Sequence, residues 1–178
     1  MGWIIFILVV FAALLFFWFF PVLIGGIPWQ PTDMRRVRKM LTMAQVKPDE
    51  VVYDLGCGDG RIVIAAVREF GAKAVGVEAN PWLYLVSWIR IFLLGLWRSA
   101  RVVLGNLYHQ DLSQADVVTL FLFQHVNDHL EEKLKRELKP GARVVSYVWV
   151  FKNWEPSQVD TEGRLYLYEK ERGRENVG

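Results

Sequence analysis

Val51-Val52-Tyr53-Asp54-Leu55-Gly56-Cys57-Gly58-Asp59-Gly60-Arg61 is the stretch on which the fold turns. Val51 to Leu55 has the character of a buried strand. A loop with glycine at every second position follows, and Gly60 to Phe70 then carries the apolar spacing of a helix. Glycines in a strand–loop–helix turn let a ligand approach the backbone where a side chain would obstruct it. A dinucleotide fingerprint needs Gly-x-Gly-x-x-Gly, but Arg61 stands at the third glycine position, and the glycines fall at 56, 58 and 60. Asp54 beside the loop would repel a pyrophosphate. It suits an ammonium instead, such as that of a methionine moiety, reached directly or through water. Glu78 ends the next apolar stretch, eighteen positions after Gly60. A carboxylate there can accept hydrogen bonds from both hydroxyls of a ribose.

Outward from this loop, strand and helix patterns alternate. Thr32 reads as the N-cap of a helix with Met34, Val37, Leu41 and Ala44 on its apolar side, and Pro48-Asp49 breaks it. Ala74 to Glu78 reads as a strand, and Pro81 to about Trp97 as a long apolar helix. Arg101 to Leu104 and Asp116 to Phe123 are further strands. Asn127 to Leu138 is a helix closed by Lys139-Pro140-Gly141, and the strands Ala142 to Phe151 and Leu165 to Lys170 end the series. Such alternation predicts an α/β fold with helices on both faces of a parallel sheet.

With these residues in hand, the chain resembles the class I S-adenosylmethionine-dependent methyltransferases over residues 44–170. More narrowly, it is similar to a family of small membrane-anchored protein-lysine methyltransferases, whose eukaryotic members act on mitochondrial inner-membrane proteins. That likeness rests on Pro28-Trp29-Gln30-Pro31-Thr32, the run Val52 to Ala66, Asp116 to Leu120, Leu138 to Ser146, and Trp154-Glu155-Pro156. The resemblance implies a Rossmann-like class I methyltransferase sheet, mostly parallel with an antiparallel last strand. It implies S-adenosyl-L-methionine as cofactor, with Asp54, Gly56, Gly58 and Gly60 at the methionine end and Glu78 at the ribose. Asn106 would sit near the adenine amino group, where many relatives carry an acid, and Leu107 would pack on the adenine face. Tyr53, Asn80 and Trp82 rank behind these, since each suits a core or surface role equally well. The acceptor would be an amine, foremost a lysine. Phe121, Phe123, Trp149 and Trp154, after the fourth and fifth strands, are candidates for the walls that hold it. No residue is singled out as a general base. The Asn-Pro-Pro-Tyr type of signature used on nucleic-acid bases is absent; Thr119-Leu120-Phe121-Leu122-Phe123-Gln124 occupies its place.

Composition sets the location. The chain has 178 residues, 53% hydrophobic and 14% aromatic, with a net charge of +2 that gives no reason to expect nucleic acid as a partner. Trp3 to Phe20 is an unbroken run of eighteen apolar residues, and Val22, Leu23 and Ile24 follow Pro21. About 20 apolar residues span a bilayer. No basic residue precedes the run and Gly25-Gly26-Ile27-Pro28 is a poor cleavage site, so an anchor is preferred to a cleaved signal. Arg35, Arg36, Arg38 and Lys39 follow closely, which places the catalytic domain on the cytoplasmic side. The expected organisation is a transmembrane anchor over 1–25, a linker and leading helix over 26–45, a methyltransferase domain over 46–171 and a polar tail over 172–178. Segment 82–97 carries one charge, Arg90, and meets either a membrane surface or a second copy. Cys57 is the lone cysteine, so no internal disulfide forms. His125 and His129, four apart, lack a third ligand, and no metal site is expected. Two other functions stay open: methylation of a lipid or small molecule, and cofactor binding without turnover.

Overall fold

The computed structural model describes residues 2–12 and 30–171. An N-terminal unit ends at Gln30 and a compact domain begins at Pro31. In the first unit, residues 2–12 form helix α1, exposed throughout. Among the described residues no helix is long and apolar enough to cross a membrane. Residues 13–25 of the expected anchor lie outside the described residues, as does the tail 172–178.

The domain opens with α2 (Met34–Met43), whose Val37, Met40 and Leu41 are fully buried. Its N-cap is Asp33, not Thr32: the Asp33 carboxylate accepts from the Arg35 N–H at 3.2 Å. Thr32 is buried, and its carbonyl serves the glycine loop instead, as described below. Arg38 clamps Glu69 with two bonds of 2.7 and 3.1 Å, tying α2 to the following helix.

The remaining elements are β1 (Val51–Leu55), α3 (Arg61–Phe70), β2 (Lys73–Glu78), α4 (Pro81–Leu93), β3 (Ala100–Leu104), β4 (Val117–Leu120), α5 (Gln124–Glu137), β5 (Arg143–Tyr147), β6 (Gln158–Asp160) and β7 (Leu165–Glu169). They build one seven-stranded sheet in the order β3-β2-β1-β4-β5-β7-β6. The first five strands pair in parallel, while β7 is antiparallel to both β5 and β6. Side chains alternate across the sheet. Val52 of β1, Ala74 of β2 and Val145 of β5 enter a core shared with α2 and α3. Tyr53, Leu55, Val77 and Val118 enter a second core with Val126, Leu130 and Leu134 of α5.

Several boundaries differ from the sequence expectation for local reasons. The fourth helix stops at Leu93 rather than near Trp97, because Gly95 takes a left-handed turn with φ of +71°. β5 ends at Tyr147 rather than Phe151, because Val148 adopts φ of +75°, a rare conformation for a β-branched residue. β4 is confined to Val117–Leu120, and α5 starts three residues before Asn127. β6, a three-residue edge strand, is too short to show a period in the sequence. The sheet reverses direction of growth between β1 and β4, and crevices at such switch points bind ligands beyond the strands' carboxyl ends.

Candidate functional site

The glycine loop lies at that crevice. Gly56, Gly58 and Gly60 have φ of +82°, +55° and +75°, so a side chain would be strained at each. Space is short as well: a Cβ on Gly56 would come within 2.8 Å of Leu122 Cδ2, and one on Gly60 within 2.9 Å of Ser87 Cβ. The loop is stitched to β2 by the N–H groups of Gly56 and Cys57, which donate to the Val77 carbonyl at 2.9 and 3.0 Å. Gly60 heads α3 without a side-chain cap of its own, and the first helical N–H, that of Arg61, donates to Asp59 Oδ1 at 3.4 Å.

Two carboxylates flank the loop. Glu78 receives the Gly58 N–H on Oε2 at 2.8 Å and the Asn80 N–H on Oε1 at 2.9 Å. Asp54 is 3% exposed and pairs in register with Thr119 of β4, whose hydroxyl donates to its Oδ1 at 2.8 Å. Burial pushes the Asp54 carboxyl up to about 7; the Thr119 hydrogen bond opposes this, and the Glu78 and Asp59 charges add to it. Burial also raises Glu78, against the pull of the Asn80 and Gly58 N–H groups. Two acids that resist ionisation in a dry crevice are relieved when a cation arrives. That electrostatic deficit, with the open backbone of the loop, fits a cationic methionine-derived nucleoside and does not fit a polyphosphate.

A brace holds the loop from outside. Asp59 accepts from Arg61 Nε and Nη2, both at 2.8 Å, and from Arg90 Nη1 at 2.5 Å. Arg61 also donates to the Thr32 carbonyl at 2.7 Å, and Arg90 to the Asp59 carbonyl at 2.6 Å. Burial would raise Asp59, but the two guanidiniums prevail and hold it below the usual carboxylate value. Asp59→Asn is expected to lower the thermal midpoint by about 5 °C, from the loss of about 2 kcal/mol in a partly exposed network. Because the folded pKa is depressed, the Asp59 contribution is present at neutral pH and lost as pH falls through that value. Wild type and variant therefore converge in unfolding scans as the pH is taken below the usual carboxylate range.

The other predicted residues divide into groups. Asn106 follows Gly105, whose N–H donates to the Glu78 carbonyl at 2.9 Å, so it stands next along the same sheet edge. It is exposed, and its side-chain oxygen caps the short 3-10 turn Leu107–His109 by accepting from the Tyr108 N–H. One lone pair of that oxygen remains for a ligand. Leu107 is half-buried against the α5-side core. Tyr53 is buried in that core; Asn80 caps α4 through its side chain; Trp82 is exposed at the helix start. Phe121 packs on Tyr147 with ring centres 4.4 Å apart, and Phe123 stacks on His125 at 6.0 Å. Trp149 is half-buried, and its carbonyl accepts from Ser146 Oγ at 2.5 Å and from Asn127 Nδ2 at 3.2 Å. Trp154 instead belongs to a ring cluster with Phe151 and Tyr168, at 5.5 and 5.4 Å. His129 Nδ1 contacts the His125 carbonyl at 2.6 Å. No group of His, Cys, Asp or Glu suited to a metal ion occurs among the described residues.

Thr119, Arg61, Arg90 and Glu131 are parts of the site that sequence reading does not single out. Glu131 is 2% exposed and accepts the N–H groups of Lys152 and Asn153, fixing the loop after Trp149. A polar residue inside an otherwise apolar strand is the signal for Thr119, and a lone charge in an apolar helix is the signal for Arg90.

A mostly parallel sheet with an antiparallel β7, a glycine loop at its switch point and an acid on each flanking strand define a class I S-adenosylmethionine-dependent methyltransferase. A solved structure described as an RNA methyltransferase from Salinibacter ruber in complex with S-adenosyl-L-homocysteine is 39% identical, with a TM-score of 0.77. The match covers 80% of this chain and 95% of that one. A protein-lysine N-methyltransferase of Saccharolobus islandicus is 46% identical over 149 residues, covering 80% of this chain and 92% of the relative. The adenine nucleotide translocase lysine N-methyltransferase of Mus musculus is 35% identical over 145 residues; the match covers 80% of this chain and 63% of the mouse protein. The family model described as the ANTKMT methyltransferase domain matches residues 54–158, and the chain belongs to that family.

Proposed function

We propose that the protein transfers a methyl group to a lysine amine of a membrane protein, held at that membrane by its N-terminal apolar segment. The observation that carries the reading is the pair Asp54 and Glu78, two buried carboxylates on adjacent strands with the glycine loop between them. S-adenosylmethionine supplies an electrophilic methyl on sulfur when bound. Asp54, Gly56, Gly58 and Gly60 would hold its methionine end and Glu78 its ribose, with Asn106 and Leu107 toward the adenine. Each Glu78 oxygen already accepts one backbone N–H and has a lone pair left for a hydroxyl.

The chain's remaining task is to bring a neutral amine into line and to keep water out. Lowering a lysine from about 10.4 to about 7 costs roughly 4–5 kcal/mol. An apolar wall would help by disfavouring the ammonium, and Phe121, Phe123 and Trp149, past the ends of β4 and β5, are the candidates for it. Asn127 and Ser146 fix the Trp149 carbonyl, which sets the backbone from which that indole would project.

The names of the Saccharolobus and mouse relatives both specify lysine, which supports an amine acceptor. Residues 3–20, with Arg35, Arg36, Arg38 and Lys39 after them, support a single-span anchor and a cytoplasmic domain. An anchor confines encounters to one surface and so raises the effective concentration of substrate there. Incubating the full chain with tritiated cofactor and membrane fractions tests the acceptor. Label recovered as methyl-lysine in a membrane polypeptide is expected; label in lipid extract or RNA overturns the assignment.

The pH dependence of binding gives a separate check. Below about pH 7 the free Asp54 carboxyl is protonated, and binding a cationic group must expel that proton. Affinity for S-adenosylhomocysteine should weaken about tenfold between about pH 8 and about pH 6. The Asp54→Asn variant should lack this slope when measured by titration calorimetry.

A further inference from the structure

Helix α4 does not look like the surface helix of a water-exposed domain. Its Tyr84, Ser87 and Ile91 positions turn toward the protein, with Ser87 and Ile91 buried and Ser87 set against Gly60. On a helix of 3.6 residues per turn, the opposite stripe runs through 85, 88, 89 and 92. In a soluble protein that stripe is polar. Here it reads Leu85, Trp88, Ile89 and Phe92, between 40% and 57% exposed, and continues into Leu93 at 76% and Trp97 at 59%. Trp88 and Phe92 stack with centres 5.6 Å apart, so the face presents a flat aromatic ledge. A contiguous exposed apolar patch of this kind marks an interaction site.

Charge selects the occupant. From Ala79 to Gln110 the chain has no Asp or Glu, yet it carries Arg90, Arg98 and Arg101. Arg90 is committed to Asp59. Arg98 lies over the Trp97 ring at 4.8 Å, and Arg101 lines a groove of about 350 Å³ with Trp88, Phe92 and Trp97 at the free edge strand β3. Aromatic rings beside guanidiniums, with no carboxylate between them, complement the headgroup layer of an anionic bilayer. A second copy fits worse. Two-fold pairing sets this patch against itself, bringing arginines together with no acid to separate them.

We propose that the outward face of α4, with the arginine-edged groove beside β3, is a docking surface for an anionic lipid bilayer. The inner face of the same helix touches the glycine loop through Ser87 and Arg90. One helix diameter, about 10 Å, would then separate the crevice from lipid. The methyl-transfer mouth would sit at the depth of residues that emerge from the membrane surface. This inference stands on the α4 face and not on the N-terminal anchor.

Spin labels placed on the full chain by Leu93→Cys and Trp97→Cys test it, since Cys57 is buried, with Glu132→Cys on the exposed side of α5 as a control. Each variant must first bind S-adenosylhomocysteine as wild type does, which establishes that it is folded. In phosphatidylcholine vesicles containing phosphatidylglycerol, labels at 93 and 97 should become accessible to oxygen and shielded from a water-soluble nickel complex. The label at 132 should stay in water. Arg98→Gln with Arg101→Gln should abolish the dependence of that shielding on phosphatidylglycerol. Chains that float with vesicles while labels 93 and 97 remain in water overturn this proposal and leave the anchor intact. Shielding with dipolar broadening between labels assigns the face to a second copy and overturns it too. Chains that do not float at all overturn both.

Discussion

Asp54→Asn will weaken S-adenosylmethionine and S-adenosylhomocysteine binding by about 100-fold, or about 2.7 kcal/mol, while the ligand-free fold becomes no less stable. The two halves of that result have one cause. The amide oxygen of asparagine can still accept the Thr119 hydroxyl, so the β1–β4 contact survives. What disappears is a carboxylate that burial has pushed up to about 7, far above the usual carboxylate range. A raised folded pKa gives stability that is full below the unfolded value and declines as pH rises through the folded one. The wild type should therefore lose stability between about pH 4 and about pH 7, and the variant should lose less over that window. Calorimetry with each ligand and thermal scans across pH read both halves. Unchanged affinity would remove Asp54 from the site. A collapse in thermal midpoint would make it a structural residue.

Glu78→Gln should behave differently, with stability and affinity falling together. The two carboxylate oxygens each accept a backbone N–H, from Gly58 and from Asn80. Glutamine supplies one acceptor and turns an NH₂ toward the other N–H, donor against donor. A buried donor left unsatisfied costs about 1–3 kcal/mol. The thermal midpoint should drop by about 5 °C, and the glycine loop should lose the conformation that faces the ligand. Affinity should fall about 30-fold or more, from the loosened loop and from the lost ribose acceptor together. Urea and thermal unfolding beside binding titrations provide the check. A variant with wild-type stability would mean that the Gly58 and Asn80 hydrogen bonds do not shape the loop.

What is legible in the sequence is what local pattern encodes. The strand, the alternating glycines and the acid at the end of β2 are each set by a few neighbouring residues, and they locate the crevice. Contacts between residues far apart in sequence are not legible. Thr119 meets Asp54 only because β4 lies beside β1 in a particular register, and Arg90 reaches Asp59 from 31 positions away. The same limit explains the element ends. Val148 in a left-handed conformation stops β5 although the residues beyond it remain apolar. Its carbonyl-side neighbour Trp149 is held by Asn127 and Ser146, and no periodicity announces that. Asp33 takes the cap in place of Thr32, whose carbonyl instead accepts from Arg61, 29 positions away. Trp154, a candidate wall residue by its place after the last parallel strand, packs with Phe151 and Tyr168, where its area is partly buried against the α5-side core.

The most direct measurement is photocrosslinking of radiolabelled S-adenosylmethionine to the full chain, followed by mapping of the labelled peptides. The label should fall on peptides holding residues 53–61, 78–82 or 106–108, and excess S-adenosylhomocysteine should remove it. Competable label confined to residues 139–170, or none at all, would contradict a cofactor seated between Asp54 and Glu78.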